Sequence, residues 1–233
     1  MTVRILHDDE NLTVAVTESR SNSVILCFTG IGHALGGVDV QSPEFTRASK
    51  DATAFFIVDK TRSWGNKIDF ELLRALIMPI AEGKSIFTLG NSMGGFLAIL
   101  ATRFFNIRSA VAFVPQYTVS KLLLPHETRW NIYVDEIKVW RFESLEGSFN
   151  DQTNFYVIGG LGGDDDKHLE RFPSLPNVHR IYFLEPEFMH NAAAFLKEQG
   201  LLYPVIEECL KGRSAQDIAH SCLTGYRLAV VEQ

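Results

Sequence analysis

Six short runs of continuously apolar residues, at 24–28, 54–58, 85–89, 109–114, 155–158 and 178–184, punctuate the chain. They do not alternate polar with apolar positions. Each is therefore expected to be a strand covered on both faces, as in a parallel sheet sandwiched between helices. A further run at 12–16 is expected to pair near the sheet edge with residues 3–6. Between the runs, residues 70–81 place apolar side chains at helical spacing, 93–105 is apolar nearly all round, and 191–199 is alanine-rich and closed by Gly200. Residues 204–212 and 215–226 read as terminal helices. The alternation of strand and helix predicts a doubly wound α/β fold, with helices on both faces of a mostly parallel sheet.

One stretch breaks the rhythm. Residues 115–153 are too many for an ordinary connection and carry Tyr117, Trp130, Tyr133, Trp140, Phe142 and Phe149 among mixed charges. An insertion over one end of the sheet, capping a ligand, is expected here. The alternative is a helical excursion whose aromatics only pack on the domain. With 233 residues, 46% of them hydrophobic, the chain suits one domain over 1–233.

Composition narrows the partners. The net charge is −6, and no basic block is present, which argues against nucleic acid or an anionic membrane surface. No apolar run approaches the ~18 to 20 residues that span a bilayer. Asp8-Asp9-Glu10 stands where a secretory signal would be apolar, so a cytoplasmic location is expected. Cys27, Cys209 and Cys222 form no C-x-x-C pair and read as free thiols. No metal or cofactor is implied, and oligomeric state is not legible. Asp164-Asp165-Asp166 lacks the alternating spacing of a calcium loop.

The run at 85–89 leads into Gly90-Asn91-Ser92-Met93-Gly94-Gly95 and then a helix-forming stretch. A G-x-S-x-G between strand and helix is a nucleophile elbow, a strained turn that lifts a serine hydroxyl above the sheet edge. Gly90 and Gly94 leave room for close backbone approach, and Gly95 lets the helix start near the sheet. A serine needs a base held by a third group. In folds with this elbow an acid and then a histidine follow in the chain. The run at 155–158 ends in Gly159-Gly160-Leu161-Gly162-Gly163 and three aspartates, and the run at 178–184 leads to Met189-His190-Asn191. His190 is the expected base and Asp165 the favoured acid, with Asp164 open as its rival. Oxyanion donors are expected from the Met93 amide and from Ile31, in the glycine-flanked loop after the first central strand. His33 is a candidate pocket residue, while His7, His179 and His220 read as peripheral.

Together, Thr29-Gly30-Ile31-Gly32, the elbow, the Asp164/Asp165 loop and Met189-His190-Asn191 resemble the serine α/β-hydrolase superfamily over roughly residues 24–200. The resemblance implies an eight-stranded, mostly parallel sheet and acyl-enzyme chemistry on esters, thioesters or amides of small-molecule substrates. In length the chain is similar to compact members with a small cap. It departs from the pattern in Thr29, where many members carry histidine, and in its glycine-rich acid loop.

The segment 59–66, Asp59-Lys60-Thr61-Arg62-Ser63-Trp64-Gly65-Asn66, follows another strand and is expected on the same rim. It is either a substrate-binding loop or a loop fixed by Trp64 packing and an Asp59–Arg62 pair. Three other functions compete. A dinucleotide site is disfavoured by the spacing G-x-G-x-x-x-G from Gly30 to Gly36 and by a poor helix start at 38–43. An acyltransferase would use the same acyl-enzyme with another acceptor. A non-catalytic binding protein would keep the fold alone.

Overall fold

The computed structural model describes residues 2–35 and 38–231, with the side chains at 33–35, 38–40 and 49 outside that description. The strands are β1 (Arg4–Asp8), β2 (Leu12–Thr17), β3 (Ser23–Phe28), β4 (His33–Leu35), β5 (Val38–Val40), β6 (Thr53–Asp59), β7 (Ser85–Asn91), β8 (Ile107–Phe113), β9 (Asn154–Gly160), β10 (Val178–Phe183) and β11 (Leu228–Val231). The helices are α1 (Phe70–Ala81), α2 (Met93–Leu100), α3 (Asn131–Val134), α4 (Asp166–Leu169), α5 (Ala192–Glu198), α6 (Leu202–Leu210) and α7 (Ala215–Cys222).

Nine strands form the main sheet in the order β1-β2-β6-β3-β7-β8-β9-β10-β11. The six from β6 to β10 run parallel, and antiparallel strands close both edges. Continuous apolar runs are required here because each central strand faces two layers. In β3, Val24, Leu26 and Phe28 pack with α1 and α2, whereas Ile25 and Cys27 pack with α6 and α7 on the other face. The parallel strands all end at one edge, and the loops leaving β3, β6, β7, β8, β9 and β10 gather there.

Several expectations need correction. The sheet has nine strands rather than eight, because β11 pairs antiparallel with β10. Its four residues are only half-buried, so they lack the long apolar signature of a central strand. The helix expected over 93–105 is α-helical only to Leu100 and tightens into a 3-10 turn at Ala101–Arg103. The last helix stops at Cys222, short of 226, ahead of a turn with Gly225 at φ 99°. His179 is not peripheral: it lies buried in β10, stacked on Tyr156 at 4.8 Å.

Where a dinucleotide-binding helix would begin, β4 and β5 form an antiparallel hairpin. Gly36 and the His33 side chain lie outside the described residues. Segment 115–153 contains only the short α3, and an isolated bridge between Thr118 and Ser144 closes the segment on itself. Phe142 packs edge-on against Phe70 and Phe104, and Phe149 packs on Phe155 and Phe172. Trp130 instead faces His190, with ring centroids 5.7 Å apart. No helix among the described residues is long and apolar enough to cross a membrane.

Candidate active site

Ser92 occupies the single residue between β7 and α2, at φ 56° and ψ −120°. A non-glycine residue rarely adopts this conformation, and its cost is held by the surrounding bonds. Ser92 N donates to Phe113 O at 2.8 Å, and Ser92 O accepts from Phe96 N at 3.1 Å. The glycines are sterically obligatory. A Cβ at Gly90 would lie 1.9 Å from Gly94 O, and one at Gly94 would lie 2.2 Å from Phe28 O.

Two further loops converge on this serine. His190 follows β10 and a 3-10 turn at Pro186–Phe188, and its Nε2 lies 3.2 Å from Ser92 Oγ. Asp165 caps α4 after β9, and its Oδ2 lies 2.9 Å from His190 Nδ1. The three neighbouring aspartates diverge. Asp165 faces the imidazole, and Asp164 offers its backbone oxygen to Arg129 Nη2 at 3.4 Å. Asp166 accepts from Gly162 N at 3.0 Å and so folds the glycine-rich loop.

Behind Asp165 lies a charged network that no motif announces. Arg129 Nη1 donates to Asp165 Oδ1 at 2.8 Å, and Arg129 Nη2 donates to Glu127 Oε2 at 2.7 Å. Glu127 is almost fully buried and also meets His168 Nε2 at 2.9 Å and Lys167 Nζ at 3.5 Å. Burial alone would push the Asp165 carboxyl up. The hydrogen bond and charge of His190, then those of Arg129, outweigh it and hold the pKa below the usual carboxylate value. For Glu127 burial again pushes up, and the bonds from His168 and Arg129 prevail downward. Burial lowers His168, against the pull of Glu127.

The Ile31 amide is aimed by its neighbours. Gln41 Nε2 donates to Gly30 O at 2.9 Å. That carbonyl shares a trans peptide plane with Ile31 N–H, so fixing one points the other the opposite way. Arg62 Nε holds Ile31 O at 3.0 Å, and Glu44 Oε1 accepts from Gly30 N at 3.0 Å. Burial raises the Glu44 carboxyl to about 7, against the lowering effect of the Gly30 bond. Met93 opens α2, where first-turn amides have no intrahelical acceptor.

A cleft of about 760 Å³ is lined by Ile31, Ser92, Trp130 and His190, together with Glu44, Arg47, Lys197 and Tyr203. The structure therefore brings Ser92, His190, Asp165 and Ile31 to one place, with Met93 adjoining the serine. Among the described residues, no cluster of His, Cys, Asp or Glu is placed to hold a metal ion. Cys27 and Cys209 are buried free thiols, and burial pushes both up. Glu44, Gln41, Glu127, Arg129 and Gln116, whose Nε2 donates to Ser92 Oγ at 2.8 Å, were not legible as site residues, since each reaches the site from a loop without characteristic spacing.

No protein-family model and no curated protein matches the sequence. Solved structures do. The capsule O-acetyltransferase of Neisseria meningitidis serogroup A superposes with a TM-score of 0.59 at 13% identity, covering 86% of this chain and 93% of that one. Carboxylesterase CesB from Bacillus subtilis gives 0.54 at 11%, covering 91% and 92%. An α/β serine hydrolase homologue from Coxiella burnetii gives 0.53 at 9%, covering 87% and 96%. Mostly parallel sheet, flanking helices and these likenesses agree: the chain has the α/β-hydrolase fold.

Proposed function

We propose that this protein is a serine-dependent hydrolase that cleaves a small or medium acyl ester or thioester. One observation carries the reading: Ser92 Oγ, His190 and Asp165 form a continuous hydrogen-bonded series of 3.2 and 2.9 Å, with Ser92 and His190 lining a cleft. His190 Nε2 takes the Ser92 proton as Oγ bonds to the substrate carbonyl carbon, and the carbonyl electron pair moves onto its oxygen. The Ile31 and Met93 amides face that oxygen. Collapse of the adduct expels the alcohol or thiol, which leaves with the proton from His190. Water then repeats the sequence on the acyl-enzyme. Asp165 accepts from Nδ1 throughout, fixing the tautomer and stabilising the imidazolium. Segment 115–153 acts as a partial cap through Trp130.

A fluorophosphonate probe tests this directly. Wild type is expected to be labelled and Ser92→Ala is not; absence of labelling in wild type would favour a non-catalytic binding protein. A second reading is transfer to an alcohol. It is favoured by the likeness to the capsule O-acetyltransferase, a mutant of which is described in complex with CoA, and by Arg47 and Lys197 in the cleft, two cations suited to an anionic acyl carrier. Esters and acyl-CoA supplied with and without acceptor alcohols separate the two.

A further inference from the structure

We infer that Gln116 is a catalytic hydrogen-bond donor to the Ser92 oxygen, aimed by Trp64 of the loop at 59–66; the inference rests on Ser92 being the nucleophile. Gln116 is fully buried and its Nε2 lies 2.8 Å from Ser92 Oγ. On its other side, Trp64 Nε1 lies 3.2 Å from Gln116 Oε1. An indole N–H can only donate. The carboxamide oxygen must therefore face Trp64, and its NH₂ must face the serine. Ser92 Oγ accepts from Gln116, which leaves its own proton directed at His190 Nε2. That nitrogen is then the acceptor, and His190 Nδ1–H points to Asp165. A tryptophan separated from the serine by Gln116 alone in this series of hydrogen bonds thus sets the direction of every hydrogen bond from Gln116 to Asp165.

The loop is built to hold the indole still. The Asp59 carboxylate accepts from Ser63 N at 2.9 Å, Ser63 Oγ at 2.9 Å and Gly65 N at 3.0 Å, bracketing Trp64 on both sides. Trp64 itself is fully buried at φ 49°. Asn66 Oδ1 accepts from Arg141 N at 2.7 Å and Phe142 N at 2.8 Å, tying the loop to segment 115–153. A loop that only filled space would need none of this alignment toward a single carboxamide.

The chemistry follows from where charge develops. Negative charge builds on Oγ as its proton leaves for His190 and before its bond to the carbonyl carbon is complete. It returns to Oγ in deacylation, when the bond between Oγ and the acyl carbon breaks and His190 gives the proton back. A donor fixed on Oγ stabilises both moments, whichever acceptor takes the acyl group. A hydrogen bond to a charged oxygen corresponds to about 10- to 100-fold in rate.

The test uses Gln116→Met, which keeps volume without a donor, Gln116→Glu, Trp64→Phe and the double variant Trp64→Phe/Gln116→Met. Thermal melting verifies that each is folded, and kcat, KM and the fluorophosphonate labelling rate are read with a chromogenic acetate ester. Gln116→Met is expected to lower kcat and labelling together by about 10- to 100-fold, with KM little changed. Gln116→Glu, isosteric but presenting an acceptor to the serine proton at pH 8, falls below Gln116→Met. Trp64→Phe loses about 3- to 10-fold alone and nothing further in the Gln116→Met background, the coupling expected of one chain of bonds. Wild-type rates in Gln116→Met, or a Trp64→Phe loss undiminished in the double variant, would overturn the inference. If wild type takes no probe, the nucleophile assignment fails instead.

Discussion

Arg129 and Asp165 are joined by a 2.8 Å hydrogen bond on the carboxylate oxygen that His190 leaves unused. The acid of the proposed triad is thereby shared between an imidazole and a guanidinium, and the guanidinium is itself paired to buried Glu127. Removing Arg129 frees Asp165 to stabilise an imidazolium more fully. In Arg129→Met the acid limb of the rate profile is expected to move to higher pH, while Arg129→Lys keeps it near wild type. Stability falls as well, by roughly 2–3 kcal/mol. That is at or just below the cost of breaking a fully buried pair, because Arg129 keeps 23% of its side chain exposed. The sign of the pH effect follows from Asp165 and Glu127, both held below their ordinary values when folded. Their stabilisation is present above the unfolded carboxylate range and is lost as pH falls through the folded values. Denaturation of wild type and Arg129→Met at pH 7 and pH 3 is expected to show the difference shrink in acid.

Asp165→Asn and Asp164→Asn separate two adjacent carboxylates. Only Asp165 reaches the imidazole, whereas Asp164 contributes a backbone oxygen that substitution leaves in place. Asp165→Asn is expected to lose about 10³- to 10⁴-fold in kcat through the wrong tautomer, and Asp164→Asn to stay near wild type. Equal losses in steady-state ester hydrolysis would remove Asp165 from its proposed role.

The legibility of these features in the sequence depended on how local their causes are. Apolar runs announce central strands because burial on two faces constrains every residue, and the six parallel strands were readable for that reason. The edge strand β11 was not, since its four residues are half-exposed. The Ser92 turn was legible because its residues are contiguous in the chain and Gly90 is demanded by a contact with Gly94, only four positions on. His190 was legible because it follows a late strand. By contrast, Asp165 and Asp164 are separated only by the direction of a loop that Arg129 fixes from 36 positions away. Gln116 takes its meaning from Trp64 at a separation of 52 positions. Such pairings exist only once the chain is folded, and no spacing rule encodes them.

Glu44 carries the next prediction. Its carboxyl is raised by burial from 4.5 to about 7 while it accepts from Gly30 N beside the Ile31 amide. The folded state then binds the Glu44 proton more tightly than the unfolded state does. Stability contributed by this group is full below about pH 4.5 and declines as pH rises toward 7. Glu44→Gln cannot titrate. Relative to wild type it is expected to gain stability between pH 5 and pH 8, by a few kcal/mol at most, since one pKa unit is worth about 1.4 kcal/mol. Urea denaturation at the two pH values checks this, and a constant difference would contradict it.

Gly160 ends β9 directly under the loop that carries His190. A Cβ there would lie 2.5 Å from Met189 N and 2.6 Å from Phe188 C. Both contacts are backbone, so no side chain can swing aside to make room. The strand below is pinned in register, with Gly160 opposite Phe183, so the loop above must yield. Displacing Met189 moves its neighbour His190, whose Nε2 now lies 3.2 Å from Ser92 Oγ. Misplacement by about 1 Å typically costs about 100-fold in rate. Gly160→Ala is therefore expected to lose about that much in kcat/KM while retaining its sheet by circular dichroism. The fluorophosphonate labelling rate should fall in parallel, because attack by Ser92 needs the same imidazole; labelling at the wild-type rate would show that His190 had not been displaced.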